Sequence, residues 1–239
     1  MLKRLYKKEL TYYLNNAVGY IVIVLFAVFA NFLFVKDIFV VGEASMRPFF
    51  GIVPWLLIIF VPALCMRMFA EERRQNTLEL LLSLPVSEIQ ILLAKFFAVL
   101  TLIAIALVLT LGLPVSLSIL SSSAGSSVYF PEIITGYVGV IFMSAMFTAV
   151  SLFLSLKTHN QIVAFLSYVL VLFFLIIFST DFVAGFLPRV VQTGLNYVSP
   201  VTQLDGFIKG VVDLRSFFYF VSVTTIMLFL SVIELERRS

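Results

Sequence analysis

The chain has 239 residues, of which 62% are hydrophobic and 12% charged, with a net charge of +3. A soluble domain carries about a quarter charged residues; here there are too few to cover a water-exposed surface, so lipid must be the main solvent, and the length leaves no room for a large soluble domain beside a membrane one. The basic residues are scattered among apolar segments instead of forming one face, which argues against nucleic-acid binding, and Cys65 has no second cysteine to pair with.

The first element is residues 1–16. Leu2, Leu5, Tyr6, Leu10 and Tyr13 fall at helical spacing on one face, while Lys3, Arg4, Lys7 and Lys8 lie mostly on the other. This pattern predicts an interfacial helix along the inner leaflet, with its lysines near anionic head groups. Six apolar stretches follow: Ala17–Val35, Phe49–Phe69, Ile91–Leu111, Ile133–Leu156, Ile162–Phe182 and Phe217–Ile233. Each is near the roughly 20 residues that cross a hydrocarbon core of about 30 Å. Backbone groups in lipid must bond within their own segment, so these are six transmembrane helices of an all-α protein; the alternation of a membrane barrel is missing. A basic start before an apolar run has the outline of a signal peptide. However, the first run exceeds the 7–15 residues usual for a signal core, and Glu9 interrupts the basic region. It is therefore read as a retained span.

Between the second and third spans, Arg67–Ser87 carries the most information. Asn76 with Glu79 has the spacing of a capping box, so a short helix can start near Thr77. Pro85 disfavours helical geometry at Leu84 and ends that helix. Ser87 with Gln90 forms a second box that launches the third span. The product is a two-turn helix at about 77–84, with Leu78, Leu81 and Leu82 on one face and Leu80 and Leu84 beside it. Leaving those side chains in water would cost on the order of 1.5–3 kcal/mol each, so they need a cover, and Glu71, Glu72, Arg73 and Arg74 can form a polar rim around it.

Further along, Ser121–Ser127 reads as a flexible linker, and Pro131 suits the first turn of the fourth span. Gly185–Ser216 is too apolar for a solvated loop, and Pro188, Gly194, Pro200, Gly206 and Gly210 divide it into short pieces. Short helices dipping into the outer leaflet would satisfy both facts. Orientation follows the positive-inside rule. With the amino terminus inside, 11 of the 16 basic residues face the cytoplasm, which places both termini there.

Missing chemistry is as telling. His159 is the single histidine, there is no His-Glu-x-x-His, and no glycine-rich loop for ATP phosphates is present. We expect no catalytic, cofactor-binding or metal residue. Pairing His159 with Ser151 or Ser155 for hydrolysis would put the chemistry at a helix end. Arg67, Lys95, Glu132 and Asp181 all lie at span ends, so no ionisable group at mid-depth is available to couple transport to an ion gradient. Any uphill work must be driven by another polypeptide. Rival readings are a membrane anchor that recruits a cytoplasmic complex, and a lipid-directed enzyme using the outer polar residues Glu132, Asp181, Arg189, Asp205, Lys209, Asp213 and Arg215.

Two runs make the reading specific. Pro62-Ala63-Leu64, Met66–Glu72 and Thr77–Ser87 resemble the permease subunit of ABC-2 type ATP-binding-cassette transporters, nearest to the gliding-motility and nitrous-oxide-reductase-maturation branch. Ser199-Pro200, Phe207, Gly210–Arg215 and the closing Glu234–Arg238 extend the similarity over nearly the whole chain. The resemblance implies a type V exporter-like permease fold in the bacterial inner membrane, with re-entrant extracellular helices before the last span. It implies that Glu71, Glu72, Arg73, Thr77, Leu78, Glu79, Leu81, Leu82, Leu84 and Pro85 belong to a coupling helix and its surroundings, docked on a separate nucleotide-binding subunit that holds the ATP and Mg. Lys157, Thr158, His159 and Asn160 would form a second cytoplasmic contact, and a second permease copy or paralogue would complete the export path. This chain departs from the family in having Asn76 where glycine is frequent; asparagine tolerates the left-handed backbone better than most residues.

Overall fold

A computed structural model describes residues 2–41, 45–77, 86–123, 128–177 and 189–237. Its described residues form eleven helices: α1 Leu2–Asn15, α2 Ala17–Val41, α3 Arg47–Cys65, α4 Ala70–Arg74, α5 Glu88–Val108, α6 Gly112–Ser123, α7 Phe130–Lys157, α8 Gln161–Ile177, α9 Arg189–Val198, α10 Pro200–Ile208 and α11 Leu214–Glu236. Five stretches are long and apolar enough to cross a membrane: Ala17–Lys36, Arg47–Arg74, Glu88–Ser122, Phe130–Lys157 and Leu214–Glu236. The fifth expected span, Ile162–Phe182, is represented by α8, an apolar helix of 17 residues; its remaining positions lie outside the described residues.

α7 is the central element, packed against α3, α5, α8, α10 and α11. Small residues on α7 make this possible. A Cβ on Gly136 would lie 2.3 Å from the Phe50 ring, and one on Gly139 would lie 2.7 Å from Phe207 Cβ. Aromatic and aliphatic side chains therefore press directly on the α7 backbone, the close approach that small residues permit between membrane helices. Large apolar side chains on α2, α8 and α11 remain exposed, as befits a lipid-facing surface.

The apolar stripe of α1 packs on its own bundle. Leu5, Tyr6, Leu10 and Leu14 lie against the core and Tyr13 is buried, whereas Lys3, Arg4, Lys7 and Lys8 are exposed. Two hydroxyls fix this docking. Thr101 Oγ1 donates to the Phe97 carbonyl at 2.8 Å, so Tyr6 Oη donates to Thr101 at 2.8 Å. Tyr13 Oη donates to the Leu64 carbonyl at 2.7 Å, and burial raises this phenol well above its ordinary range. Asn16 turns the chain into α2, its Oδ1 accepting from Val18 N.

Three local expectations need correction. The first part of the expected serine linker, Ser121 to Ser123, is helical, with Ser121 and Ser122 hydroxyls bonded back to Ser118 and Ile119 carbonyls, while 124–127 lie outside the described residues. The helical run begun at Glu88 would extend about 50 Å if straight, more than the hydrocarbon core, and the chain breaks it at Leu109–Leu111. Ser87 is the N-cap residue of α5, but its side chain makes no cap bond; its carbonyl accepts from Gln90 and Ile91 N. In the stretch before the last span, Pro200 and Gly210 mark breaks, whereas Gly194 and Gly206 lie inside α9 and α10. Gly210 has φ +87, which only glycine adopts without strain. Pro131 stands in the first turn of α7, as its fixed φ favours.

Candidate functional site

The end of the bundle that carries α1 and the close of α11 gathers charged residues from five helices. α3 ends at Cys65, and Met66–Phe69 turn the chain into the single turn α4. The first amide groups of such a turn have no helical partner. Ser155 of α7 supplies one: its Oγ accepts from Phe69 N at 3.4 Å and Ala70 N at 3.2 Å, and lies 3.4 Å from the Met66 carbonyl. α4 is thus capped by another helix. Its downstream end at Asn76 has φ 54, a left-handed geometry that asparagine tolerates and that differs from the extended backbone of the N-cap expected there.

Within α4, Glu71, Glu72 and Arg73 point different ways. Glu71 Oε1 accepts from Gln75 at 3.2 Å on the exposed side. Glu72 turns inward, with a side chain 24% exposed, and its Oε1 accepts from Lys95 Nζ at 2.7 Å. Lys95 is 2% exposed and also donates to Glu9 Oε1 of α1 at 3.3 Å, while its ammonium lies 5.1 Å from the centre of the Phe69 ring. One buried ammonium thereby ties α1, α4 and α5 together. A buried charge is tolerated only when paired and hydrogen-bonded in this way.

Arg73 reaches the opposite side. Its Nη1 donates to the Leu156 carbonyl at 2.6 Å and its Nη2 lies 2.6 Å from His159 Nε2. A guanidinium can only donate, so His159 accepts through Nε2 in this contact. That geometry leaves His159 engaged with Arg73, and Ser155 engaged with α4, so no serine–histidine pair forms. Lys157 lies 3.7 Å from Glu234 and over the Phe153 ring, linking α7 to α11. Asn160 Oδ1 accepts from Ile162 N and starts α8, and Thr158 Oγ1 is 3.4 Å from the Asn160 carbonyl. Thr77 is exposed, its Oγ1 donating to the Glu72 carbonyl. The expected coupling residues Leu78, Glu79, Leu81, Leu82, Leu84 and Pro85 lie outside the described residues.

The structure therefore joins the two expected cytoplasmic contacts through Arg73 and His159. Sequence reasoning missed Glu9, Lys95 and Ser155 as their supports. Lys95 stood in the open as a lone cation within an apolar helix; its partners, 86 and 23 positions away, did not.

The opposite end is fastened differently. Glu132, 4% exposed in the first turn of α7, accepts from Ser45 Oγ at 2.7 Å, Met46 N at 3.1 Å and Arg47 Nε at 3.0 Å. It thus sits where a helix N-terminus favours an anion, while satisfying donors at the start of α3. Thr135 Oγ1 donates to the Phe207 carbonyl and seats α10; the Asp213 carboxylate accepts from Arg215 N and caps α11. Of the polar residues at this end, Glu132 and Asp213 are thereby committed to capping and packing, while Asp205, Lys209 and Arg215 are exposed.

These features define a multi-pass membrane protein whose charged side chains are concentrated at the two ends of a helical bundle. The sequence model of the ABC-2 family transporter proteins matches residues 43–238, and the chain belongs to that family. No curated protein matches it. Family membership makes it a membrane component of an ATP-binding-cassette transporter and not the catalytic one.

Proposed function

We propose that the chain is the permease subunit of an ATP-driven exporter in a bacterial inner membrane. It crosses that membrane six times, has both termini in the cytoplasm, and belongs to the gliding-motility and nitrous-oxide-reductase-maturation branch. A separate nucleotide-binding subunit, holding ATP and Mg, docks beneath residues 67–87 and 157–160, and a second permease copy or paralogue completes the path. The observation that carries this reading is the Arg73–His159 contact, supported by the Lys95 cluster: force applied to the coupling segment reaches α7 and α8 through Arg73, and α1 and α5 through Lys95. Closure of the ATPase pair on ATP would move that segment and, with it, the helix ends it holds.

An apolar or amphipathic cargo fits the absence of ionisable groups at mid-depth among the described spans. A non-transporting mechanical role would use the same coupling face and differ only in cargo movement. Photocrosslinkers placed at Glu71 and His159 test the docking face. Both should capture the ATPase subunit, and Glu71→Lys should weaken its co-purification with the membrane part still folded. Crosslinks from neither position, with the ATPase captured from Asp205 instead, would overturn the assignment.

A further inference from the structure

The two faces of α1 differ in charge. Its one acidic residue, Glu9, turns inward: the side chain is 13% exposed and its Oε1 accepts from Lys95 Nζ at 3.3 Å. Lys3, Arg4, Lys7 and Lys8 stand on the exposed face, and Thr11, Tyr12 and Asn15 continue the same stripe. No ion pair joins any of the four cations to a carboxylate among the described residues. The helix thus shows its surroundings a run of uncompensated positive charge less than two turns long. Like charges four residues apart repel along a helix, so an anionic surface relieves this face.

The seat of α1 decides which surface that is. Tyr6 bonds to Thr101, which lies in the second half of the apolar helix α5, and Tyr13 bonds to the Leu64 carbonyl at the end of α3. Both halves of α1 are therefore held against membrane-crossing helices; a helix hanging below the bundle could not reach Thr101. A single residue, Asn16, joins α1 to α2, and the joint is tight enough that a Cβ on Gly19 would collide with the Tyr13 carbonyl. Tyr12 and Tyr20, on either side of that joint, are 49% and 54% exposed, and Ile21, Val24, Leu25 and Val28 of α2 are exposed after them. Tyrosine, with an apolar body and a polar tip, suits the head-group level of a bilayer.

We propose that the exposed basic face of α1 is a binding surface for anionic phospholipids. Long lysine and arginine stems let the charges reach the phosphate layer from a helix held at this level. A zwitterionic head group carries its own cation beside the phosphate, so net attraction is confined to anionic lipid. The assignment needs α2 and α5 to cross the bilayer; it does not need an ATPase subunit to dock at this end. It also gives the inward turn of Glu9 a consequence: the helix that meets the lipid charge on one face shares Lys95 with Glu72 of α4 on the other.

Native mass spectrometry of the full chain, released from detergent with added phosphatidylglycerol or phosphatidylcholine, tests the assignment. Wild type should retain phosphatidylglycerol preferentially. Each Lys or Arg near an anionic surface contributes about a fivefold factor, so a quadruple variant with Lys3→Gln, Arg4→Gln, Lys7→Gln and Lys8→Gln should lose at least about tenfold of that preference. Its unfolding temperature should match wild type, since these exposed side chains hold no other element. Glu9→Gln should leave the preference unchanged, because that carboxylate faces Lys95. Equal retention of both lipids by wild type, or an unchanged preference in the quadruple variant, would overturn the proposal. A gain of about fivefold in Glu9→Gln would place Glu9 on the lipid face and contradict it as well. A quadruple variant that keeps its lipid preference but loses the co-purifying ATPase subunit would make the face a protein contact, overturning the lipid assignment while leaving the docking reading intact.

Discussion

The two ends of the bundle handle buried charge in different ways. Glu132 is saturated: three donors, all close to the start of α3, converge on one carboxylate. At the other end Lys95 is shared between two carboxylates from different helices, Arg73 bridges two segments, and Arg67 Nε and Glu72 Oε2 have no partner. A saturated carboxylate makes a fixed staple, because any displacement loses several bonds together. A shared cation with spare acceptors close by can exchange partners, and its neighbours can move relative to one another at lower cost. The contrast suits a transporter in which one end receives force and the other holds the helix ends in register.

Removing the shared cation should have the largest effect. Lys95→Met leaves Glu72 and Glu9 facing each other without compensation, and breaking a buried pair in this way costs about 3–5 kcal/mol. Thermal unfolding in detergent should fall well below wild type, whereas Lys95→Arg should recover much of the loss. A Lys95→Met protein as stable as wild type would mean that the cluster does not hold α1, α4 and α5. Glu72→Lys belongs in the same class, because it sets a second cation against Lys95; an effect on ATPase binding by that substitution would therefore report unfolding, and Glu71→Lys is the informative change at the rim.

Glu132→Ala comes next. It orphans Ser45 Oγ and Met46 N, so a loss of about 1–3 kcal/mol is expected. Arg47 adds little, since its side chain is 56% exposed and exposed pairs contribute about 0–1 kcal/mol. Glu132→Gln should accordingly sit closer to wild type than to the alanine variant. Equal effects from alanine and glutamine would make the charge, not the hydrogen bonds, the source of the fastening. Arg73→Lys should be the mildest for stability, within about 1 kcal/mol, because lysine keeps the charge but cannot hold the Leu156 carbonyl and His159 together. Its effect should appear in coupling to ATP hydrolysis, and unfolding comparable to Lys95→Met would show that Arg73 is part of the structural core.

Much of this architecture was legible in the residues because lipid imposes strict demands on them. Runs such as Ile133–Leu156 have one folded solution, and the central helix α7 follows from it. The third span was read to end at Leu111, where the chain breaks; the helix α6 that follows was missed because its serines were read by composition as a linker. Serines 121 and 122 can bond to carbonyls one turn back, so a string of them extends a helix as readily as it forms a linker. The left-handed turn at Asn76 is compatible with the backbone tolerance of that residue type, a purely local property, but the capping-box spacing pointed to an extended N-cap there instead. The Lys95 cluster and the Glu132 staple were not legible, because the Lys95–Glu9 and Glu132 pairings join residues more than 80 positions apart, and Lys95–Glu72, 23 apart, depends with them on which faces of α1, α3, α4, α5 and α7 meet. Arg73 was read as a free rim charge for the same reason: its partners, the Leu156 carbonyl and His159, are set by packing and not by spacing.

The central claim is that residues 67–87 transmit work between this chain and an ATPase subunit. Reconstituting the permease with that subunit in a bilayer and measuring ATP hydrolysis, for wild type and for the double variant Leu81→Asp with Leu82→Asp, tests it most directly. Stimulation of hydrolysis by the wild-type permease and its loss in a double variant that still folds would support the claim. Full stimulation by the double variant would contradict it.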